Sequence, residues 1–235
     1  MISCYHLSLG DPRAGGALLL DDVSFEIPTN AWAEVLGRAG SGKSLLFGVC
    51  SLRYRAKGAS LIVGKRNLAR LTPGKLAQVR ATIGSCAQPP VLLERRSVIE
   101  NLLLPFVVRG EQDGALGKIE ETLERLELRG LRDVPVHATT PQERQLVGLM
   151  RACLGRPKVL LLDDAIAGLD PLYKKRALSL ISGCHRQGAT VVLFGRERVA
   201  PRAVDVLELH LEDGHLRPVE RAGQTPTPEA AGRRR

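Results

Sequence analysis

The sequence predicts an α/β fold built on a parallel sheet, and three observations carry that prediction. The first is Gly37-Arg38-Ala39-Gly40-Ser41-Gly42-Lys43-Ser44, a G-x-x-x-x-G-K-[ST] pattern that follows the apolar run Ala31-Trp32-Ala33-Glu34-Val35-Leu36. The second is Val159-Leu160-Leu161-Leu162, an unbroken apolar run closing on Asp163-Asp164, which is how a strand buried on both faces of a parallel sheet reads. The third is that a helical stretch over 172–187 and an apolar strand over 189–194 repeat the alternation.

The glycine-rich stretch also carries chemistry. Gly37, Gly40 and Gly42 let successive backbone N–H groups around Ser41 turn inward on an anion. Lys43 brings a point charge toward terminal phosphates, and Ser44 offers a hydroxyl to Mg²⁺. Residues 45–52 continue as a helix whose positive end faces those phosphates.

Taken in order, the chain begins with a short apolar stretch over 2–9, a turn-rich break at 10–16 and strand-like alternation through Val23, Phe25 and Ile27. These are expected to be antiparallel strands flanking the loop. After the first helix, 59–63 and 81–86 read as short strands with a turn at Leu71-Thr72-Pro73-Gly74 between them. From Asp113, apolar residues at Leu116, Ile119, Leu123 and Leu126 recur at helical spacing, and Gly130 is the expected stop. A second helix is expected over 141–154, with Thr140-Pro141-Gln142-Glu143 forming a capping box that has proline at the first helical position. Near the end, 204–211 and 215–219 read as a hairpin closed by Asp213-Gly214. The basic tail 219–235 has little to bury and is expected to be disordered.

Composition narrows the class further. With 235 residues and 44% hydrophobic content, the chain can bury the core of one large domain. Its longest apolar runs fall short of the ~18 residues that span a bilayer, and the N-terminus lacks a signal-peptide pattern, so a cytoplasmic location is expected. The five scattered cysteines indicate neither a disulfide framework nor a zinc site. A net charge of +9 would suit an anionic partner, but the basic residues are interspersed with acids and only four Phe, three Tyr and one Trp are present for stacking. No specific nucleic-acid partner is expected.

These stretches together resemble the ABC transporter ATPases over about residues 2–218. Residues 17–28 look like the stretch that family carries before its phosphate loop, and 151–164 look like its lead-in to Walker B. Gly168-Leu169-Asp170-Pro171 resembles its D-loop. The segment 83–110, with Gln88, is similar to the glutamine loop of the lipoprotein-release, cell-division and macrolide-export branch. The resemblance implies a RecA-like core, an N-terminal antiparallel β subdomain and a helical subdomain over about 85–150. It implies ATP held by 37–44 and Mg²⁺ held by Ser44, Asp163 and Gln88. A transmembrane permease and a second ATP-binding subunit, identical or paralogous, would be the partners, at the inner face of the membrane.

Departures from the family pattern fall where hydrolysis chemistry belongs. Thr139, Thr140, Pro141, Gln142 and Glu143 stand where the family has LSGGQ, the tip that contacts the nucleotide of the opposite subunit. Pro141 has no N–H to donate, and Gln142 is bulky where backbone must approach phosphate. Asp164 stands in place of the catalytic glutamate, and is a general-base candidate one methylene short. Arg196 stands at the switch-histidine position, either gripping a γ-phosphate or pairing at the surface with Glu197. The adenine-stacking aromatic is missing near 11–16, and Tyr5 lies too early to replace it. The apolar residues Leu92, Leu93, Leu103, Leu104 and Phe106 read as core or, in part, as a groove for a permease helix. The expected protein therefore binds MgATP and hydrolyses it weakly or not at all. A non-catalytic scaffold that regulates a permease or an active paralogue is the alternative, with a stand-alone P-loop enzyme a third.

Overall fold

Alternation along one strand divides the molecule. A computed structural model describes residues 1–10, 18–54, 58–64 and 66–219, and in it β3 (Trp32–Leu36) is buried at every position. Its side chains alternate between two cores: Trp32 belongs to one, Ala33 and Val35 to the other. On the Ala33 side lie β1 (Ile2–Gly10), β2 (Leu18–Ile27), α1 (Lys43–Cys50), β4 (Ser60–Val63) and the short β5 (Arg66–Asn67). These four strands form an antiparallel sheet in the order β2-β1-β4-β5. It packs Ile2, Leu7, Val23 and Ile27 against Leu46 and Phe47 of α1, which therefore lies between two sheets.

The main sheet follows from the fully buried runs. β6 (Ile83–Ala87), β7 (Val159–Asp163), β8 (Thr190–Gly195), β9 (Val206–Glu212) and β10 (His215–Pro218) join β3 in the order β10-β9-β3-β8-β7-β6. All neighbours are parallel except the β9–β10 hairpin, whose turn has Asp213 and Gly214 both left-handed. Leu36 of β3 and Asp163 of β7 flank the C-terminal end of β8, opposite Gly195 and Phe194, so the residues expected to be functional emerge at one edge of the sheet.

Between β6 and β7 the chain inserts α3 (Val98–Arg109), α4 (Ala115–Arg125) and α5 (Pro141–Leu154), followed after β7 by α6 (Pro171–Arg186). The inserted helices share the Trp32 core with α6. Long polar side chains fasten this unit together and to the end of β6. Gln145 of α5 donates to the Ala87 carbonyl at 3.2 Å, Arg109 donates to Gly155 O, and Arg151 donates to Val91 O. Buried Asn101 closes the preceding loop through Leu93 and Ser97.

Two sequence expectations are corrected. Leu71-Thr72-Pro73-Gly74 is the start of a helix, α2 (Pro73–Arg80), in which Thr72 is the N-cap and Pro73 supplies the fixed φ of a first helical residue. α4 does not stop at Gly130. It stops in a Schellman motif, in which the N–H of Leu128 donates to Leu123 O and that of Glu127 to Glu124 O. The left-handed residue of that motif is Glu127, at φ 56°. The apolar residues expected to be core or groove divide: Leu92 and Phe106 are buried, whereas Leu93 is 48% exposed. The tail from 220 onward and the 11–16 segment, where the adenine-stacking aromatic is missing, lie outside the described residues. Among the described residues no helix is long and apolar enough to cross a membrane.

Candidate functional site

The 37–44 loop leaves β3 and enters α1 without a side-chain cap. Gly42 is the N-cap at φ 97° and Gly40 is also left-handed, at φ 81°, a region that side chains beyond Cβ populate rarely. A Cβ on Gly42 would sit 2.9 Å from Leu20 Cδ2, and one on Gly37 would sit 2.5 Å from Leu211 O. The strands behind the loop therefore press it into this shape. No acidic residue occupies the first turn of α1, so its N–H groups and positive end are left for an external anion. Lys43 is nearly buried, and its ammonium donates to Gly37 O and Arg38 O at 2.7 Å each and to Ser41 Oγ at 3.3 Å.

The end of β7 brings the acids to this lysine. Burial lowers the Lys43 pKa, while Asp164 and Asp163 hold it up and Arg196 lowers it further. Lys43 thus lies within the electrostatic reach of Asp163, Asp164 and Arg196. Asp163 is raised from its ordinary value by burial and by Asp164, against a hydrogen bond from Ser44 and the charge of Lys43. Its Oδ1 is buried without a hydrogen-bond partner. A buried carboxylate oxygen left unsatisfied beside a hydroxyl is a hard oxygen donor set, which suits Mg²⁺. Asp164 adopts φ 47° and donates its N–H to Phe194 O at 2.8 Å.

Asp164, Arg196 and Gln88 line one cavity of about 600 Å³, together with Gly168, Leu169 and Glu34. Gln88 donates to the Ala167 carbonyl at 2.9 Å, holding the loop after β6 against the segment after β7. Arg196 is exposed, and among the described residues no ion pair joins it to Glu197. Residues 139–143 do not line this cavity. Their start of α5 closes on itself: Thr140 Oγ1 accepts from the N–H of Glu143, Glu143 Oε2 accepts from the N–H of Thr140, and Pro141 occupies the first position. Thr139 donates to Val136 O. Tyr5 donates to Glu26 at 3.3 Å.

One contact and one residue escaped sequence reasoning. Gln142 Oε1 accepts from the N–H of Asp170 at 2.9 Å, and Asp170 in turn caps α6 through Tyr173 N, so the α5 tip and the 168–170 segment are tied. No local pattern announces a bond over this sequence distance. Glu34 is almost fully buried in β3, and here a signal did exist: it is the one charge in an otherwise apolar strand.

A glycine loop that opens a helix at the edge of a parallel sheet, facing a buried Asp163 and Lys43, defines a P-loop nucleotide-binding protein. The ABC transporter family model matches residues 20–167, and the chain belongs to that family. It is 34% identical over 197 residues to the methionine import ATP-binding protein MetN of Cupriavidus metallidurans, covering 83% of this chain and 57% of that protein. It is 34% identical over 222 residues to methionine import ATP-binding protein MetN 2 of Yersinia pestis, covering 92% of this chain and 67% of that one. The chain thus spans little more than half the length of the first of these. Its fold is similar to the dimeric, post-hydrolysis ATP-binding cassette MJ0796 bound to ADP and phosphate, with a TM-score of 0.81 at 20% identity over 94% of this chain and 98% of that one. An ATP-binding subunit of an ABC transporter matches with a TM-score of 0.80 at 21% identity over 92% and 88%.

Proposed function

We propose that this protein is the ATP-binding subunit of an ABC-type membrane transport complex, and that it binds MgATP through Gly37, Gly40, Ser41, Gly42, Lys43 and Ser44 with weak or absent hydrolysis. The observation that carries the reading is the uncapped start of α1 beside Lys43 and the unsatisfied Asp163 oxygen. Bound at that oxygen and Ser44, Mg²⁺ would neutralise phosphate charge. The chain's own part is to hold phosphates on the loop N–H groups and Lys43, and to present Asp164, Gln88 and Arg196 to the terminal one. Asp164 is short for a water-orienting base, and Arg196 donates where a neutral imidazole would exchange a proton.

The names of the relatives, methionine import proteins, support an import role for the complex. Its other parts would be a transmembrane permease and a second copy or paralogue of this subunit, at the inner membrane face. The residues at 168–170 and 139–143 would lie toward that second subunit. The scaffold alternative has an observation of its own: the capping box takes up the N–H groups of Thr140 and Glu143 and Pro141 has none, so the α5 start leaves little for a partner's nucleotide.

Calorimetry with MgATP tests the reading. Wild-type protein is expected to bind, and Lys43→Ala to bind ~10- to 100-fold more weakly, because it removes a charge-assisted contact of about 1.5–3 kcal/mol. No heat of binding at millimolar MgATP would leave the scaffold as the function.

A further inference from the structure

Glu34 lies where its strand should be apolar, yet it is 1% exposed and no lysine or arginine forms an ion pair with it among the described residues. Such a group stays only where its lone pairs are taken up. They are: Oε1 accepts from the backbone N–H of Ala200 at 2.7 Å, from that of Val199 at 3.3 Å and from the indole of Trp32 at 3.3 Å, and Oε2 accepts from Val199 at 3.3 Å. Burial raises the Glu34 pKa, and these three donors and the Arg198 charge oppose the rise.

The two backbone donors, Val199 and Ala200, belong to the segment that leaves β8 with Gly195 and Arg196. That segment is gripped at one end by the sheet, where Gly37 N donates to Gly195 O at 3.2 Å, and at the other by the hydrogen bonds to the Glu34 carboxylate, beside the packing of Val199 and Ala200 against the core. Arg196 is exposed between these two grips. Glu34 and Arg196 line the same cavity as Asp164. We propose that Glu34 is a positioning residue, the buried anchor that fixes the loop after β8 and through it the placement of Arg196 beside the phosphate site.

The role of Arg196 toward nucleotide rests on the function proposed above; the anchoring of the loop does not. Two measurements separate them. Hydrogen exchange without nucleotide reads the anchor: Glu34→Ala should speed exchange at the amides of Val199 and Ala200 by tenfold or more while Val191 and Val192 of β8 stay protected. Glu34→Gln keeps an acceptor and should restore most of the protection, which guards against a general loss of fold. Unchanged exchange at 199 and 200 would overturn the anchor.

The second measurement is a double-mutant cycle on MgATP affinity. Glu34→Ala should weaken binding several-fold in the wild-type background and have no effect on top of Arg196→Ala, because it acts through Arg196. Additive losses would overturn that route. Wild-type protein that binds no MgATP would instead remove the nucleotide function, and with it any role of Arg196, and the exchange result would still decide the anchor. The single tryptophan, Trp32, gives an independent signal, since its emission should shift when its indole loses the Glu34 acceptor.

Discussion

Two helix starts in this molecule face the same physical problem and solve it in opposite ways. At α1 the first N–H groups are left without side-chain partners, glycines hold the approach open, and no acid lies in the first turn. At α5 Thr140 and Glu143 close a reciprocal cap, and proline stands where a further N–H would point outward. A helix N-terminus attracts anions only while its donors and dipole are unanswered. The start of α1 is therefore open to an anion, as the proposed phosphate site requires. The start of α5 already holds its anion, the carboxylate of Glu143, and the same secondary structure serves stability in place of recognition.

The largest effect should come from converting the second start toward the first. Thr139→Leu, Thr140→Ser, Pro141→Gly and Gln142→Gly, combined with Asp164→Glu and Arg196→His, are expected to raise steady-state phosphate release in the presence of the partner complex. A positioned general base alone accounts for ~10²–10⁴ in rate, and changes acting on one transition state should exceed the sum of their separate effects. The structure sets conditions on this experiment. Gln142→Gly breaks the bond to Asp170 N, and Asp164 sits at φ 47°, where Asp is tolerated better than Glu. Melting curves must therefore accompany the activity. A folded, ATP-binding variant that stays silent would move the suppression away from these positions and favour the scaffold.

A smaller effect sharpens what an open site costs. Burial raises the folded-state pKa of Asp163, so the folded protein takes up a proton there more readily than the unfolded chain. Asp163 is then neutral at no cost below the unfolded carboxylate range, and its charge increasingly disfavours folding as pH rises through the folded value. Asp163→Asn removes the buried charge, so it should stabilise the ligand-free protein at neutral pH and flatten that part of the pH dependence. Added Mg²⁺ with ATP should raise the melting temperature of wild type and not of the variant, and chelation should reverse it. A ligand-free variant less stable than wild type would mean that Asp163 is satisfied in a way its geometry does not reveal.

At the closed start, Glu143→Ala removes one half of the cap and should cost about 1 kcal/mol, roughly 2–4 °C in melting temperature for a chain of this size. It should confer no MgATP binding on the tip, because Pro141 still lacks an N–H. If it did confer binding, Glu143 alone would be what closes the site.

How far all this was legible in the sequence depends on the range of the interaction. The loop at 37–44, the buried run of β7, the capping box of α5 and the Asp213-Gly214 turn are each written in neighbouring residues, and local backbone physics reads them directly. Gln142 on Asp170 and Glu34 on Val199 and Ala200 are contacts across the fold, created only once the sheet and helices are packed. α2 was missed because Thr72-Pro73-Gly74 satisfies a turn and a helix start equally. Proline at i+1 of a turn and at the first helical position has the same φ.

The end of α4 carries the smallest prediction and the same lesson. Gly130 looked like the stop because glycine usually takes the left-handed position after a helix, yet the residue at φ 56° is Glu127. A non-glycine there costs about 1 kcal/mol. Glu127 keeps one compensation, an ion pair with Arg176 of α6, but its side chain is 77% exposed and such pairs contribute ~0–1 kcal/mol. Glu127→Gly should therefore be neutral to slightly stabilising, by a few tenths of a kcal/mol, and Gly130→Ala should be tolerated, since a Cβ there meets nothing within 4 Å. Chemical denaturation of the two variants separates the alternatives. If Glu127→Gly destabilises by more than about 1 kcal/mol, the Arg176 pair outweighs the backbone strain, and this helix end is held by contact with α6 instead of by its own turn.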